Sequence, residues 1–363
     1  MIVTDAWFPQ TNGVVSTLAQ TAAWLIRFGH DVKVVTPQDF RSIPCPTYPE
    51  IRLSLFPYNQ VKSAILSFAP QALHIATEGP LGLSARRFCI KAGVCFTTSY
   101  HTQFPQYLRA RFPIPLALSY AALRRFHGAA VRCMVSTPSM RAELAAQGFR
   151  NLAHWQRGVD TEKFRPREKA FLTLPRPIAA YVGRVAVEKN IDAFLSMPWA
   201  GSKIVVGDGP ERARLQHQYP GATFTGYKFG DELARHLAAA DVMVFPSRTD
   251  TFGLVNLEAM ACGVPVAAYP VTGPIDVIED GITGALDADL AAAALRALKV
   301  DGRGCRAHAL KSGWDTSTRQ FESNLADASR LPQPKLILAS RLVRESALDK
   351  ASSNSIRPSR TRL

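Results

Sequence analysis

The feature that most constrains the fold is an alternation of short apolar strands with amphipathic helices, which runs through the chain twice. The first series opens with a predicted strand at Ile2–Thr4, a helix from Gly13 to about Phe28 and a second strand at Asp31–Thr36. Strand, helix and strand in this order are typical of a parallel sheet covered by helices. The sequence therefore predicts an α/β fold.

The alternation continues after these first elements and then restarts. The remaining predicted strands are Ala72–Ile75, Val94–Thr98 and Ala130–Ser136 in the first series, and Ile178–Val182, Lys203–Val206, Ala222–Phe224, Val242–Phe245 and Val264–Ala268 in the second. A helix is predicted around Ala259 and another at Leu290–Leu298. The polar, charged run from His154 to Pro177 separates the two series. It is predicted to link two domains.

Length and composition exclude several classes of protein. A chain of 363 residues with 47% hydrophobic residues can build roughly two domains with sizeable cores. No stretch approaches the roughly 18–20 apolar residues of a membrane-spanning helix. Met1 leads directly into the first predicted strand without the features of a signal peptide. The six cysteines form no CxxC pair, so we expect a cytoplasmic protein with free thiols.

The segment that most strongly indicates chemistry is Pro246–Pro265, in which a polar loop follows an apolar strand and leads into a helix. Ligands of open α/β sheets bind beyond the carboxyl ends of the strands, where helix N-termini favour phosphate. Gly253 leaves room for a phosphate, and Glu258 is suited to accept hydrogen bonds from a sugar's hydroxyls. The alternative is structural, with Thr249 or Asp250 capping the helix.

Three other segments follow predicted strands. Arg184 and Lys189 lie in one loop and together suit a diphosphate, although such a pair taken alone is more often two solvated cations. The two glycines of Val206–Pro210 indicate a turn. His101 follows a strand end and faces the predicted cleft, with a structural histidine as the alternative. Gly13, in a strand-to-helix loop, permits close approach.

Other motifs are absent or point elsewhere. Asp287 and Asp289 have the DxD spacing of a metal-binding motif, but a helix cap explains them better because an alanine-rich helix follows. The chain has no GxGxxG in its first turn, no P-loop and no GxSxG. Nicotinamide, P-loop and serine-hydrolase chemistries are therefore disfavoured.

Six segments together resemble the retaining family-four glycosyltransferases of the GT-B fold, in that family's order and spacing. They are NGVVSTLAQTAAWLIRFGHDVKVVTP, SYHTQFPQYL, RGVDTEKFRP, YVGRVAVEKNI, VGDGP and PSRTDTFGLVNLEAMACGVPVAA, and the match covers about residues 1–328. The resemblance implies two Rossmann-like domains facing a central cleft. Residues 1–170 would bind the acceptor, 171–312 the nucleotide sugar, and a helix in 313–330 would cross back to the first domain. Residues 331–363 form a basic tail that we predict to be disordered.

The resemblance also implies roles for individual residues. The implied catalytic residues are His101, Arg184, Lys189 and Asp250, and the implied donor-binding residues are Gly13, Arg184, Lys189, Gly209, Asp250, Phe252, Gly253, Leu254 and Glu258. No cofactor or divalent metal is implied, since Arg and Lys would stabilise the leaving diphosphate. Asp250 stands where the family usually has Glu. The TDTFG form resembles a branch that includes lipid glycosyltransferases and mannosyltransferases.

The net charge of +14 is unevenly distributed, with +11 in residues 1–170 and +5 in residues 331–363. We predict that the first domain docks on an anionic membrane, where each basic residue near the surface contributes about 1 kcal/mol. The predicted membrane and acceptor patch is Arg86, Arg87, Lys91, Arg109, Arg111, Arg124 and Arg125. The alternative is a basic surface that serves solubility. Nucleic acid is not an expected partner, because no recognition motif accompanies the charge.

These observations predict one function and leave two alternatives. We expect retaining transfer of a hexose from a UDP- or GDP-hexose to a membrane lipid such as diacylglycerol, at the inner face of the cytoplasmic membrane. One alternative acceptor is a polysaccharide or cell-envelope glycan. The other alternative is a nucleotide-sugar-binding protein impaired in turnover, which the Asp250 departure motivates.

Overall fold

Each of the two predicted series forms a six-stranded parallel sheet. The structure, a computed structural model, describes residues 1–45, 48–111 and 113–329. The predicted tail at 331–363 lies outside the described residues. Two sheets covered by helices confirm the α/β class with two Rossmann-like domains. The domain limits 170/171 and 312/313 stay predictions.

The first domain contains eight strands and six helices among the residues the structure describes. The strands are β1 (Ile2–Val3), β2 (Val34–Val35), β3 (Ser42–Cys45), β4 (Tyr48–Ser54), β5 (His74–Ile75), β6 (Thr97–Tyr100), β7 (Arg132–Val135) and β8 (Leu152–His154). The helices are α1 (Gly13–Arg27), α2 (Tyr58–Phe68), α3 (Pro80–Ala92), α4 (Phe104–Arg111), α5 (Leu116–His127) and α6 (Pro138–Ala146). The parallel sheet has the order β2-β1-β5-β6-β7-β8, and β3 and β4 form a separate antiparallel pair.

The second domain repeats this architecture. Its strands are β9 (Ile178–Val182), β10 (Ser202–Val206), β11 (Thr223–Gly226), β12 (Val242–Phe245), β13 (Val266–Ala268) and β14 (Gly284–Leu286). Its helices are α7 (Ile191–Ser196), α8 (Arg212–Gln218), α9 (Gly230–Ala239), α10 (Leu254–Ala261), α11 (Pro274–Val277), α12 (Leu290–Ala297), α13 (Gly302–Ala309) and α14 (Trp314–Asn324). The strand order β11-β10-β9-β12-β13-β14 reverses direction between β9 and β12. A crevice for ligands opens at such a switch point, between the loops that follow these two strands.

Helix α1 shows how the sequence fixes an element beside the cleft. The Asn12 side chain accepts hydrogen bonds from the backbone N–H groups of Val14 and Val15, both at 3.0 Å, and so caps the helix. The buried face of the helix packs under the first sheet, with Leu18 fully buried. The helix ends before Gly29, which has φ +92°. Because α1 follows β1 in the chain, its N-terminus lies at the carboxyl end of that strand, beside the cleft.

Helix α14 leaves the second domain and packs on the first. Phe321 is fully buried, with its ring centroid 4.7 Å from that of Trp155. The chain thus passes between the domains twice, once on each side of β9–β14. The two passages touch, because Val159 N–H donates to the carbonyl of Ser312 at 2.8 Å. A Cβ at Gly158 would lie 2.7 Å from Cα of Trp314, so the backbones are in direct contact.

Some predicted boundaries were wrong. The strand predicted at Val94–Thr98 is observed at Thr97–Tyr100, because the Val94 N–H donates to the Cys89 carbonyl at 2.9 Å where α3 ends and so does not enter the sheet. His154, predicted to begin the link between domains, belongs to β8. The edge strands β8 and β14 and the β3–β4 pair were not predicted. They are short or polar, so they carry little periodic signal.

Candidate functional site

An ion pair joins the two loops that flank the switch point of the second sheet. Lys189, in the loop after β9, places its Nζ 2.6 Å from Oδ1 of Asp250, in the loop after β12. The two side chains are 20% and 16% exposed, so the pair lies mostly out of water. Both residues were predicted to lie at the donor site, and the structure brings them into contact.

The surroundings of Lys189 keep it charged. Burial alone lowers the pKa of this ammonium, but Asp250, Tyr107 and Tyr181 together raise it above its usual range. Tyr107 comes from α4 of the first domain, and burial raises the pKa of its phenol to about 12. A first-domain side chain therefore faces the cation of the second domain. Tyr107 belongs to SYHTQFPQYL, one of the six segments that carry the family resemblance, but no role was predicted for this residue.

Helix α10 begins at the cleft without a side-chain cap. Its N-cap is Gly253, with φ +80°, so the alternative in which Thr249 or Asp250 caps the helix is wrong. A Cβ at Gly253 would lie 2.6 Å from Nδ2 of Asn256, so a side chain does not fit there. Asp250, in the loop that precedes α10, is instead paired with Lys189. The positive end of α10 is therefore open toward an anion.

Two helix N-termini approach each other across the cleft. Gly13, the first residue of α1, lies opposite Leu254, the first residue of α10. A Cβ built on Gly13 would be 3.5 Å from Cδ1 of Leu254. Phe252, a predicted donor-binding residue, is half-buried in the loop just before α10. Both helix dipoles favour negative charge in the space between them.

Glu258 is the fifth residue of α10, about one turn from the start of the helix. Burial raises the pKa of its carboxyl to about 7, and Lys163 of the linker opposes part of that rise. An acid whose charge is poorly solvated is ready to accept hydrogen bonds from hydroxyl groups. Asp250 and Glu258 are not a facing acid/base pair, since Asp250 is bound to Lys189.

The loops after β9 and β10 are in backbone contact. A Cβ at Gly207 would lie 1.8 Å from the carbonyl oxygen of Gly183, so only glycine fits. The carbonyl of Arg184 accepts a hydrogen bond from the Tyr181 hydroxyl at 2.7 Å. Gly209 donates its N–H to Asp208 Oδ1 at 2.8 Å. The predicted residues Arg184 and Gly209 thus lie in two loops that hold each other at the same edge of the sheet.

His101 follows β6 directly in the first domain. It faces the loop after β12, which carries Asp250 and Thr251. Its backbone carbonyl accepts a hydrogen bond from the Thr251 hydroxyl at 2.7 Å, and Ser136 Oγ donates to the Thr251 carbonyl at 2.9 Å. Burial, together with the Arg157 cation, lowers the pKa of the His101 imidazole well below its usual value. The two domains therefore meet at His101 and Thr251, one residue beyond Asp250.

The predicted membrane patch divides into two groups. Arg87, Lys91, Arg109 and Arg125 are exposed. Arg86 and Arg124 are instead occupied, since Arg86 Nε donates to the Phe126 carbonyl at 2.9 Å and Arg124 Nη1 donates to the Gln147 carbonyl at 2.7 Å. The side chain of Arg111 lies outside the described residues. Among the described patch residues, four present cations to solvent.

Two further expectations concern metals and membranes. Asp289 accepts a hydrogen bond from the Ala291 N–H at 2.9 Å and caps α12, as expected for the DxD segment. Across residues 1–45, 48–111 and 113–329, no cluster of three His, Cys, Asp or Glu side chains is arranged to hold a metal ion. Within the same residues, no helix combines the length and apolar character needed to cross a bilayer. Metal independence stays a prediction.

Comparison with protein families matches both halves of the chain. Residues 11–163 match the family model described as Glycosyltransferase Family 4, and residues 176–300 match that of Glycosyl transferases group 1. A GDP-mannose-dependent alpha-mannosyltransferase of Mycobacterium tuberculosis is 31% identical, covering 78% of this chain and 82% of the relative. The sulfoquinovosyl transferase SQD2 of Arabidopsis thaliana is 30% identical, covering 91% and 73%.

Solved structures share the fold. The sucrose-phosphate synthase of Thermosynechococcus elongatus superposes with a TM-score of 0.69 at 22% identity, covering 89% of this chain and 96% of that one. Anabaena HepE, solved in complex with UDP-glucose, gives a TM-score of 0.67 at 16% identity, covering 89% and 97%. Likeness at this level of identity shows the fold alone. It confirms the expected GT-B arrangement.

Proposed function

The chain belongs to the glycosyltransferases of group 1 and family 4, and from this premise we propose which reaction it catalyses. It moves a hexose, with retention of anomeric configuration, from a UDP- or GDP-hexose to a membrane lipid such as diacylglycerol, and it needs no divalent metal. The observation that carries the proposal is the convergence of Lys189 with the N-termini of α1 and α10 at one switch point. That arrangement supplies fixed positive charge for a diphosphate.

The residues of the cleft divide the work of the transfer. The N–H groups at the start of α10 bind the diphosphate, and Arg184 and Lys189 stabilise the charge that develops on it as it leaves. Asp250 orients both Lys189 and the sugar, and Glu258 accepts hydrogen bonds from the ribose hydroxyls. His101 contacts the sugar from the first domain.

Retention follows if both bonds lie on one face of the sugar. The bond between the anomeric carbon and the diphosphate oxygen breaks, and the acceptor hydroxyl oxygen forms its bond to that carbon on the same face. The acceptor's proton passes to the leaving phosphate oxygen. No group on the protein has to accept this proton, which suits a site whose nearest carboxylate, Asp250, is engaged with Lys189.

A lipid acceptor is supported by one face of α3. Leu83, Arg87, Ile90 and Lys91 recur at helical spacing, and all four are exposed. Apolar and basic side chains on one exposed helix face are suited to the interface of an anionic bilayer. Four exposed basic residues of the patch would contribute about 4 kcal/mol of attraction, at roughly 1 kcal/mol each. On this proposal the protein is peripheral on the inner face of the cytoplasmic membrane.

The reaction is tested with purified protein and four donors, UDP-glucose, UDP-galactose, UDP-glucuronate and GDP-mannose. Each is incubated in EDTA with and without anionic liposomes containing diacylglycerol, and the anomeric configuration of the product is read by NMR. An α-linked glycolipid formed from one donor supports the proposal. Sugar hydrolysis without a lipid product refutes the lipid acceptor and favours a glycan as the acceptor.

Membrane docking is tested by reversing charge on α3. The double variant Arg87→Glu with Lys91→Glu is expected to lose at least about 10-fold in binding to anionic liposomes at low salt, and binding of the wild-type protein is expected to fall as salt rises. The matched control, Lys299→Glu with Lys311→Glu, makes the same charge change at exposed sites of the second domain. Equal losses in the two double variants would contradict docking through α3.

A further inference from the structure

Arg157 is a buried cation in the passage from the first domain to the second. The residue is 4% exposed, and its Nη1 donates to the Trp155 carbonyl at 2.9 Å. Its guanidinium lies 4.2 Å from the centroid of the Trp155 ring. Burial lowers its pKa to about 9, so it is still charged near neutral pH. Among the described residues no carboxylate forms an ion pair with it.

An uncompensated buried charge weakens the folded state. The hydrogen bond to the Trp155 carbonyl and the contact with the Trp155 ring offset part of this cost. In the part of the chain that the structure describes, the remaining contact of the guanidinium is with a predicted catalytic residue. Nη2 of Arg157 lies 3.3 Å from Nδ1 of His101. Trp155 packs against both partners, with its ring centroid 5.7 Å from that of His101 in an edge-to-face arrangement.

The polarity of this contact assigns the protons of His101. A guanidinium only donates hydrogen bonds, so Nδ1 of His101 is the acceptor and carries no proton. The imidazole is then neutral, with its proton on Nε2. Nε2 lies 2.7 Å from Ser99 Oγ and donates to it. This assignment rests on the hydrogen-bond network, as tautomers generally do.

The assignment propagates into the core of the first domain. Ser99 Oγ accepts the hydrogen bond from His101 Nε2–H and donates its own hydroxyl proton in a hydrogen bond to His74 Nε2, 3.0 Å away. His74 then donates from Nδ1 to Thr97 Oγ1 at 2.9 Å. Burial lowers the pKa of His74 to about 3, in agreement with a neutral imidazole. Arg157, which can only donate, thus sets the direction of the hydrogen bonds that link four side chains, those of His101, Ser99, His74 and Thr97.

We propose that Arg157 is a positioning residue that holds His101 neutral, in its Nε2–H tautomer, with the ring fixed against the loop that carries Asp250. The catalytic consequence rests on the proposed function, since it assumes that His101 contacts the sugar. The tautomer itself does not. The backbone carbonyl of His101 already bonds Thr251 across the cleft, so a ring fixed by Arg157 is also fixed relative to the donor loop.

The tautomer is tested directly by long-range ¹H–¹⁵N correlation NMR, with the His101 signals assigned by their loss in His101→Gln. In the wild-type protein we expect a protonated Nε2 and an unprotonated Nδ1. In Arg157→Met the donor to Nδ1 is removed, and we expect signals averaged between the two tautomers. A wild-type His101 with its proton on Nδ1 overturns the proposal, whether or not Arg157→Met folds.

Kinetics test the consequence for catalysis. Arg157→Met is expected to lower kcat about 10- to 100-fold with a change of less than about 3-fold in the donor KM, because the donor's binding groups are untouched. Arg157→Lys keeps a charged donor and is expected to restore the Nε2–H tautomer and a kcat within about 3-fold of the wild-type value. Arg306→Met is the matched control, since Arg306 also donates to backbone carbonyls, those of Phe164 and Ala261, but away from His101.

The outcomes separate the inference from the proposed function. If no donor gives transfer but the NMR signals change as expected, the function is wrong and the positioning role stands. If the tautomer of Arg157→Met equals that of the wild-type protein, the positioning role is wrong. A loss of kcat in Arg157→Lys or Arg306→Met as large as in Arg157→Met also overturns it, because the effect is then only structural.

Discussion

Replacing Glu258 by Gln is expected to make the protein more stable while weakening its binding of nucleotide. Burial raises the pKa of this carboxyl from 4.5 to about 7 in the folded protein. The folded state therefore binds a proton more tightly than the unfolded state, and folding stability falls as pH rises through the interval between these two values. Glutamine fills almost the same volume and does not titrate, so it escapes this loss.

The magnitude follows from the interval. At 1.36 kcal/mol per pH unit, the charged carboxylate destabilises the folded protein by about 3 kcal/mol above pH 7. Glu258→Gln is thus expected to be more stable than the wild-type protein by about 3 kcal/mol at pH 8. The same relation gives about 1 kcal/mol at pH 5, and the difference vanishes below pH 4.

Urea unfolding at pH 5 to 8 measures the difference, and titration with UDP and GDP measures binding. A carboxylate that accepts hydrogen bonds from ribose contributes about 1.5–3 kcal/mol, so Glu258→Gln is expected to bind the nucleotide about 10- to 100-fold more weakly at pH 8. This affinity gap is expected to narrow toward pH 6, where the wild-type carboxyl becomes protonated. Comparing the two proteins at each pH cancels the titration of the nucleotide itself.

The control is Glu162→Gln, the same chemical change at an exposed site of the linker. It is expected to alter stability by less than about 0.5 kcal/mol. The reasoning is refuted if Glu258→Gln is no more stable than the wild-type protein at pH 8, or if its advantage does not shrink as pH falls. If the nucleotide affinity is unchanged, Glu258 is a buried acid that does not bind the donor.

Two further predictions address the loops of the proposed donor site. In a double-mutant cycle on Lys189→Met and Asp250→Asn, each single change leaves a mostly buried partner unpaired, so the double variant is expected to be more stable than the two losses predict, by about 1–3 kcal/mol in urea unfolding; additive losses would rule out a direct pair. Gly207→Ala places a Cβ 1.8 Å from the Gly183 carbonyl and is expected to cost more than about 2 kcal/mol, whereas Gly221→Ala, with open space around it, is expected to change thermal stability little.

The parts of the fold that the sequence predicts well are those with a complete local pattern. Val242–Phe245 is an unbroken apolar run and is a strand over the predicted residues. α1 carries a cap, a periodic face and a glycine stop, and it was predicted within a residue at its end. β14 has three residues, and its ladder partner is β13, so its formation depends on pairing with a strand outside its own segment.

The candidate site shows the same division. The family resemblance placed Lys189 and Asp250 at one donor site, and the structure brings the two side chains into contact. Tyr107 approaches the pair from the other domain. A contact between two domains leaves no pattern in the residue spacing of either one. Arg157 stands in the polar, charged run that was predicted to link the two domains. The one local sign of its burial is the neighbouring Trp155, whose ring and carbonyl both contact the guanidinium.

The contact between the two passages that join the domains has a consequence for motion. Two separate connections would let the domains slide and twist. Here the two passages are bonded to each other through Val159 and Ser312, with Gly158 against Trp314, so they meet at a single pivot. Opening of the cleft is then a rotation about that pivot. Such a rotation has to break contacts between the domains away from the pivot, such as that of Ser139 with Asp276. A rotation of the two domains is measurable as a change in the distance between two labels, one on each domain.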